Sequence, residues 1–154
     1  MKEPETKDVM DAMNRAIKEG KGLEFLNNTI ADIDDKDLKE FFDSYLATHP
    51  ELTLAKIIKE AGIDRNYGYQ IVNGQRKTIG RDKIIALCFC AGMTLEDTNR
   101  ALRFSKNQEL YIKNNRDAAI IFALNMKSKG DPNYKSIIKL NDFLVSRGEA
   151  ELEL

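Results

Sequence analysis

Residues 52–83 concentrate basic side chains in a chain whose net charge is only −1. Glu60, Asp64 and Asp82 are the acidic residues of this segment, and its net charge is +4. Its basic residues are Lys56, Lys59, Arg65, Arg76, Lys77, Arg81 and Lys83. Residues 1–51 have a net charge of −6, and residues 84–154 have +1. A basic segment in an acidic chain indicates a surface for a polyanion, with a solvated helix face as the alternative.

Histidine and cysteine, which many enzymes and metal sites use, are scarce in this sequence. His49 is the single histidine, and no nucleophile is spaced to pair with it. Cys88 and Cys90 are two positions apart in an apolar run, and such positions on a helix face different directions. We therefore expect two buried, reduced thiols instead of a disulfide or a metal site. We predict a protein that is not an enzyme and that uses neither a cofactor nor a metal.

The apolar residues occur in short runs, none of which approaches the roughly 18 residues that span a bilayer. The first ten residues carry charges of both signs and lack the apolar core of a signal peptide. We expect a cytoplasmic protein without membrane contact.

Helical spacing dominates the chain, and it predicts an all-α fold. Thr53, Asp64 and Thr94 are suited to cap helices, and glycines follow the predicted helix ends. The predicted helices of this region cover residues 54–61, 65–73, 81–91 and 95–104. The third of them is strongly apolar, and its predicted core stripe is Ile84, Leu87, Cys88 and Ala91.

The flanking regions are also predicted to be helical. Before the basic segment, the predicted helices lie near residues 9–19, 23–33 and 36–48, the last of them capped by Asp34 or Asp35. After it, residues 115–128 and a helix opened by Asp131 and Pro132 predict an antiparallel hairpin. The second hairpin helix is expected to bury Ile137, Leu140, Phe143 and Leu144, and the last six residues are expected to fray. The predicted domains are an acidic helical segment (1–36), a central domain (37–104) and a hairpin (105–154) that packs on it or dimerises.

The first two helices of the basic segment are joined by a very short turn. Gly62 ends one helix, the apolar Ile63 bridges the turn, and Asp64 begins the next helix. This layout holds two short helices at a steep angle, so the second can project from the body. The N-terminal residues of such a helix can reach base edges in a major groove.

The segment LTLAKIIKEAGIDRNYGYQIVNGQRK, residues 52–77, resembles the phage-repressor and xenobiotic-response-element (XRE) type of helix-turn-helix. The following LCFCAGMTLEDTNRAL resembles the fourth and fifth helices of those domains. The run Asp64–Gln70 further resembles small bacterial DNA-binding proteins with an Arg-x-Tyr-Gly-Tyr-Gln recognition helix. The resemblance covers roughly 65 residues. It implies a lambda-repressor-like helix-turn-helix domain, here with additional N-terminal helices and a C-terminal hairpin.

The resemblance also implies roles for individual residues. Arg65, Asn66 and Gln70 occupy positions that read bases, and their side chains suit guanine and adenine. The positions implied to contact the DNA backbone, or else a partner, are Tyr67, Tyr69, Asn73, Arg76 and Lys77. The implied function is a sequence-specific transcriptional regulator that binds double-stranded DNA, and we expect a homodimer.

Three residues depart from the family pattern. Leu54 stands where a glutamine often contacts phosphate, Ile58 where a small alanine lets the helices approach, and Gly68 where an apolar residue anchors the recognition helix. We expect Ile58 to pack over Gly68, so that one departure compensates the other. The near-neutral charge, Leu54 and tyrosines that look exposed also suggest an alternative, a protein-interaction adaptor that keeps the fold without binding DNA.

Overall fold

The structure, a computed structural model, describes residues 6–22, 37–76 and 78–154. The chain divides into two compact units, Met1–Asp37 and Leu38–Leu154. The first unit contains helix α1 (Thr6–Lys18), which ends before Gly20 in the left-handed conformation (φ 75°), as the sequence predicts. The predicted helix at 23–33 and the predicted caps Asp34 and Asp35 lie outside the described residues.

The second unit is built of helices, and no β-strand occurs among the described residues. The all-α prediction is therefore confirmed. The elements are α2 (Leu38–Ala47), α3 (Leu54–Ala61), α4 (Arg65–Val72), α5 (Arg81–Cys90), α6 (Leu95–Phe104), α7 (Asn115–Ser128), a 3-10 turn (Pro132–Tyr134) and α8 (Ile137–Ser146). None of the described helices is both long and apolar enough to cross a bilayer.

The three predicted N-caps of the basic region are confirmed. The side-chain oxygens of Thr53, Asp64 and Thr94 each accept a hydrogen bond from the backbone N–H three residues on, at 3.2, 3.0 and 3.1 Å. Each bond satisfies a backbone donor that the first turn of the helix leaves without an acceptor. The caps thereby fix where α3, α4 and α6 begin.

Helix α5 is the centre of the second unit. Seven consecutive residues from Ile84 to Cys90 are buried, and the helix packs against α3, α6 and α8. A helix that is apolar on all sides must be enclosed by others, so the predicted core stripe is confirmed and extended. Cys88 and Cys90 are free, buried thiols, as expected, and burial raises the pKa of Cys90 to about 12.

The C-terminal hairpin differs from the prediction at its second helix. Asp131 and Pro132 open only the 3-10 turn, and α8 begins at Ile137. The backbone of Ser136 is extended (φ −137°), and its hydroxyl accepts from Lys139 N–H at 3.2 Å. This second cap starts a separate helix. The residues expected to face inward are buried, except for Phe143, which is half-buried.

The expectation that the last residues fray is wrong. Leu152 is only 6% exposed, and its backbone N–H donates to Asn141 Oδ1 at 2.9 Å. The Arg116 guanidinium donates to the carbonyls of Ala150 and Glu151, both at 3.0 Å. A buried leucine and satisfied carbonyls hold this C-terminal strap (residues 149–153) on the body of the unit.

Candidate nucleic-acid interface

The turn between α3 and α4 is held from both sides. Gly62 has a left-handed backbone (φ 74°), and its N–H donates to the carbonyl of Lys59 at 3.1 Å. Ile63 N–H reaches back to the carbonyl of Ile58 at 3.3 Å, and the Ile63 side chain is buried. These are the bonds of a Schellman cap with its apolar anchor. They fix the direction in which α4 leaves α3.

The two helices meet where Ile58 of α3 faces Gly68 of α4. A Cβ built on Gly68 would lie 2.5 Å from Ile58 Cγ2 and 2.9 Å from both Cγ1 and Cδ1. The absence of a side chain at residue 68 thus makes room for the bulky Ile58, and the expected compensation is confirmed. Leu54, the third departure, is half-buried against the core.

Helix α4 has one buried face and one polar face. Gly68, Ile71 and Val72 are buried. The opposite face follows the spacing i, i+3, i+4, i+7, which places its residues in one row along the helix. That row consists of Asn66, Tyr69, Gln70 and Asn73, and the exposed Arg65 stands at its N-terminal end. Of the three predicted base-reading residues, Asn66 and Gln70 therefore lie in one row of α4, and the exposed Arg65 lies beside that row at the start of the helix.

The tyrosines of α4 order the basic side chains around them. Arg65 Cζ lies 5.8 Å from the Tyr69 ring centroid, and Arg76 Cζ lies 4.6 Å from that of Tyr67. Arg76 Nε also donates to Gln70 Oε1 at 3.0 Å. Both tyrosines are half-buried and pack against the core, so they are not the exposed side chains that motivated the adaptor alternative. Of the predicted site residues, Lys77 lies outside the described residues.

Some cations of the basic segment have carboxylate partners and others do not. Arg81 forms a two-bond pair with Asp117, at 2.9 and 2.8 Å, so Asp117 neutralises its charge. In the described part of the chain, Arg65, Arg76 and Lys83 form no ion pair. Lys56 and Lys59 of α3 form none either, so the positive charge left for an anion lies on α3 and α4, on the loop after α4 and at the start of α5.

A second two-bond pair joins Arg116 to Asp82, at 3.0 and 2.9 Å, beside the first. Burial raises the pKa of Asp82, but hydrogen bonds from Arg116 and from the Glu153 N–H outweigh it, so the pKa lies below its ordinary value. The pKa of Asp117 is lowered in the same way, because bonds from Arg81 and from a backbone N–H outweigh its burial. These ionised pairs tie the first turn of α5 to the first turn of α7.

Lys83 is a residue that the site prediction missed. Its Nζ lies 5.6 Å from the Tyr67 ring centroid, on the same ring as Arg76. Its place in the basic segment could have indicated a role in anion binding, but only the folded structure shows that it lies beside α4. Among the described residues, no three His, Cys, Asp or Glu side chains are placed to hold a metal ion.

No protein-family model, curated protein or solved structure matches this chain.

Proposed function

We propose that this chain is a sequence-specific DNA-binding transcriptional regulator. Helices α3 and α4 would form a lambda-repressor-like helix-turn-helix, and α4 would enter the major groove of double-stranded DNA. The observation that carries the proposal is the polar face of α4. It presents Asn66 and Gln70 in one row with the exposed Arg65 beside them, while the opposite face of the helix is buried in the core.

The dimensions and chemistry of α4 fit this role. Its eight residues span about 12 Å, close to the width of the major groove of about 12 Å. Arg65 can bind guanine through two hydrogen bonds, and Asn66 and Gln70 can each bind adenine in the same manner. The backbone contacts fall to Tyr67, Tyr69, Asn73, Arg76 and Lys77, and the proposed homodimer would read two half-sites.

Selection from random-sequence duplexes tests the proposal. The purified full chain is incubated with the duplexes at two salt concentrations, and the bound DNA is sequenced. We expect an enriched motif, palindromic for a homodimer, and binding that weakens as salt rises. The same selection is repeated with Arg65→Ala and with the control Arg147→Ala. Both variants remove an arginine that stacks on a ring, since Arg147 Cζ lies 6.0 Å from the Phe143 centroid.

The variants separate base reading from general attraction. Arg65→Ala should relax the preference at one base pair by about 1–3 kcal/mol, whereas Arg147→Ala should keep the motif. A motif that Arg65→Ala, Asn66→Ala and Gln70→Ala all leave unchanged would contradict the placement of α4. Absence of binding at low salt would contradict the proposed DNA-binding function and would favour the alternative, a protein-interaction adaptor.

A further inference from the structure

Two cations from separate parts of the chain share one aromatic ring. Arg76 comes from the loop after α4, and Lys83 is the third residue of α5. Arg76 Cζ lies 4.6 Å and Lys83 Nζ lies 5.6 Å from the centroid of the Tyr67 ring. The ring is half-buried and packs against the core, so it is a fixed support for both charges.

Both cations lie against this one ring, and neither has a counter-charge in the described part of the chain. Within the described part of the chain, neither forms an ion pair, and the Nε bond of Arg76 goes to the neutral amide of Gln70. Like charges in this arrangement repel, and an anion bound between them removes the repulsion. A phosphodiester carries one negative charge and two free oxygens. It can therefore accept from the planar guanidinium and from the ammonium at the same time.

We propose that Tyr67, Arg76 and Lys83 form one binding site for a single backbone phosphate of duplex DNA. Arg76 and Lys83 bind the phosphate, and Tyr67 is the positioning residue that holds them on its ring. The inference rests on the proposed DNA-binding function and adds Lys83, a contact from α5, to it. It also gives Tyr67 a role through its ring instead of its hydroxyl.

The number of phosphates bound can be counted from salt dependence. Binding of the full chain to a fluorescent duplex is measured by anisotropy over a range of salt concentrations. Each neutralised phosphate contributes about 0.9 to the slope of log K against log salt. If Arg76 and Lys83 share one phosphate, the double variant Arg76→Gln/Lys83→Gln should lose about 0.9 of slope in total. Contacts to two separate phosphates would lose about twice that, and this result would overturn the shared site.

Lys139→Gln is the matched control. Lys139 is exposed and is the third residue of α8, as Lys83 is of α5, so both changes remove one charge from the first turn of a helix. Lys139→Gln should leave the affinity and the slope unchanged, whereas Lys83→Gln should weaken binding to every duplex alike. Equal behaviour of the two variants would overturn the proposal.

Two substitutions of Tyr67 test the positioning role. Tyr67→Leu removes the ring, keeps an apolar side chain on the core, and should weaken binding about 5- to 30-fold while the salt slope stays. Tyr67→Phe restores the ring and should recover most of that loss. An equal loss in Phe and Leu variants would assign the effect to the hydroxyl and overturn the role of the ring.

The proposed function and this site fail in different ways. If the wild-type chain binds no duplex at low salt, both are overturned. If it binds DNA, but Arg76→Gln/Lys83→Gln keeps the wild-type slope, only the shared phosphate site is overturned.

Discussion

Replacing Gly68 with alanine should destabilise the protein, although alanine is the better helix former. In the middle of a helix, alanine is favoured over glycine by about 1 kcal/mol. Here, however, the new methyl group would lie 2.5–2.9 Å from three atoms of Ile58, where carbon atoms ordinarily stay about 3.5–4.0 Å apart. Ile58 is 1% exposed and cannot turn into solvent. Overpacking of a core costs about 1–3 kcal/mol, so after the gain of about 1 kcal/mol in helix propensity we expect a net loss of up to about 2 kcal/mol.

The identity of the clashing atoms gives a sharper test. Ile58→Ala removes Cγ1, Cγ2 and Cδ1, whereas Ile58→Val removes only Cδ1 and leaves the 2.5 Å contact. Gly68→Ala should therefore stabilise the Ile58→Ala protein by about 1 kcal/mol and still destabilise the Ile58→Val protein.

Six proteins are compared, with Ile, Val or Ala at residue 58 and Gly or Ala at residue 68. Urea unfolding followed by far-ultraviolet circular dichroism gives the free energy of unfolding of each. The effect of Gly68→Ala is then compared between the three residues at position 58. The reasoning is refuted if Gly68→Ala stabilises the wild type, or if the valine and alanine backgrounds respond alike.

Two further predictions concern the C-terminal half. Leu152→Ala should lower the free energy of unfolding in urea by about 2 kcal/mol, because Leu152 is only 6% exposed. Leu154→Ala, at a position 38% exposed, is the control and should change this free energy little. A Leu152→Ala effect no larger than that of the control would show that the strap adds no stability. The lowered pKa of Asp117 gives stability that is full above the unfolded-state pKa of about 3.9 and is lost as pH falls through the folded-state value. Asp117→Asn should therefore flatten the loss of stability below about pH 4–5, with the exposed Asp142→Asn as control, and an unchanged acid profile would contradict the assignment.

The parts of the fold that follow from the sequence depend on neighbours along the chain. Each cap is a bond between residue i and the N–H of residue i+3, so Thr53, Asp64 and Thr94 could be assigned from their types and positions. The contact of Ile58 with Gly68 also follows from the sequence. Ile58 is larger, and Gly68 is smaller, than the residue usual at that position in the helix-turn-helix pattern that the segment resembles. The short turn between the two helices makes these residues face each other.

The features that the sequence did not predict join distant residues. Arg81 meets Asp117, 36 positions later, and Arg116 meets Asp82, 34 positions earlier. The charge count of a segment cannot show that one of its arginines is neutralised from elsewhere. The strap was missed for the same reason, because its position depends on the hydrogen bond from the Leu152 N–H to Asn141 of α8. In the sequence alone, Leu152 is one leucine in a charged tail. Local charge density therefore indicates a candidate surface, but the partners of each cation decide which charges remain for an anion.

The two halves of the second unit meet at the first turn of α5. Arg81 and Asp82 are held by Asp117 and Arg116 of α7, and the next residue is Lys83, whose ammonium lies beside the ring of α4. Because successive residues of one helical turn move together, the ion pairs that fix α5 also fix the backbone from which Lys83 reaches Tyr67. The C-terminal hairpin thus contributes no side chain to the proposed interface, yet it sets the position of one of its cations. In this arrangement the hairpin supports the proposed phosphate site through the first turn of α5.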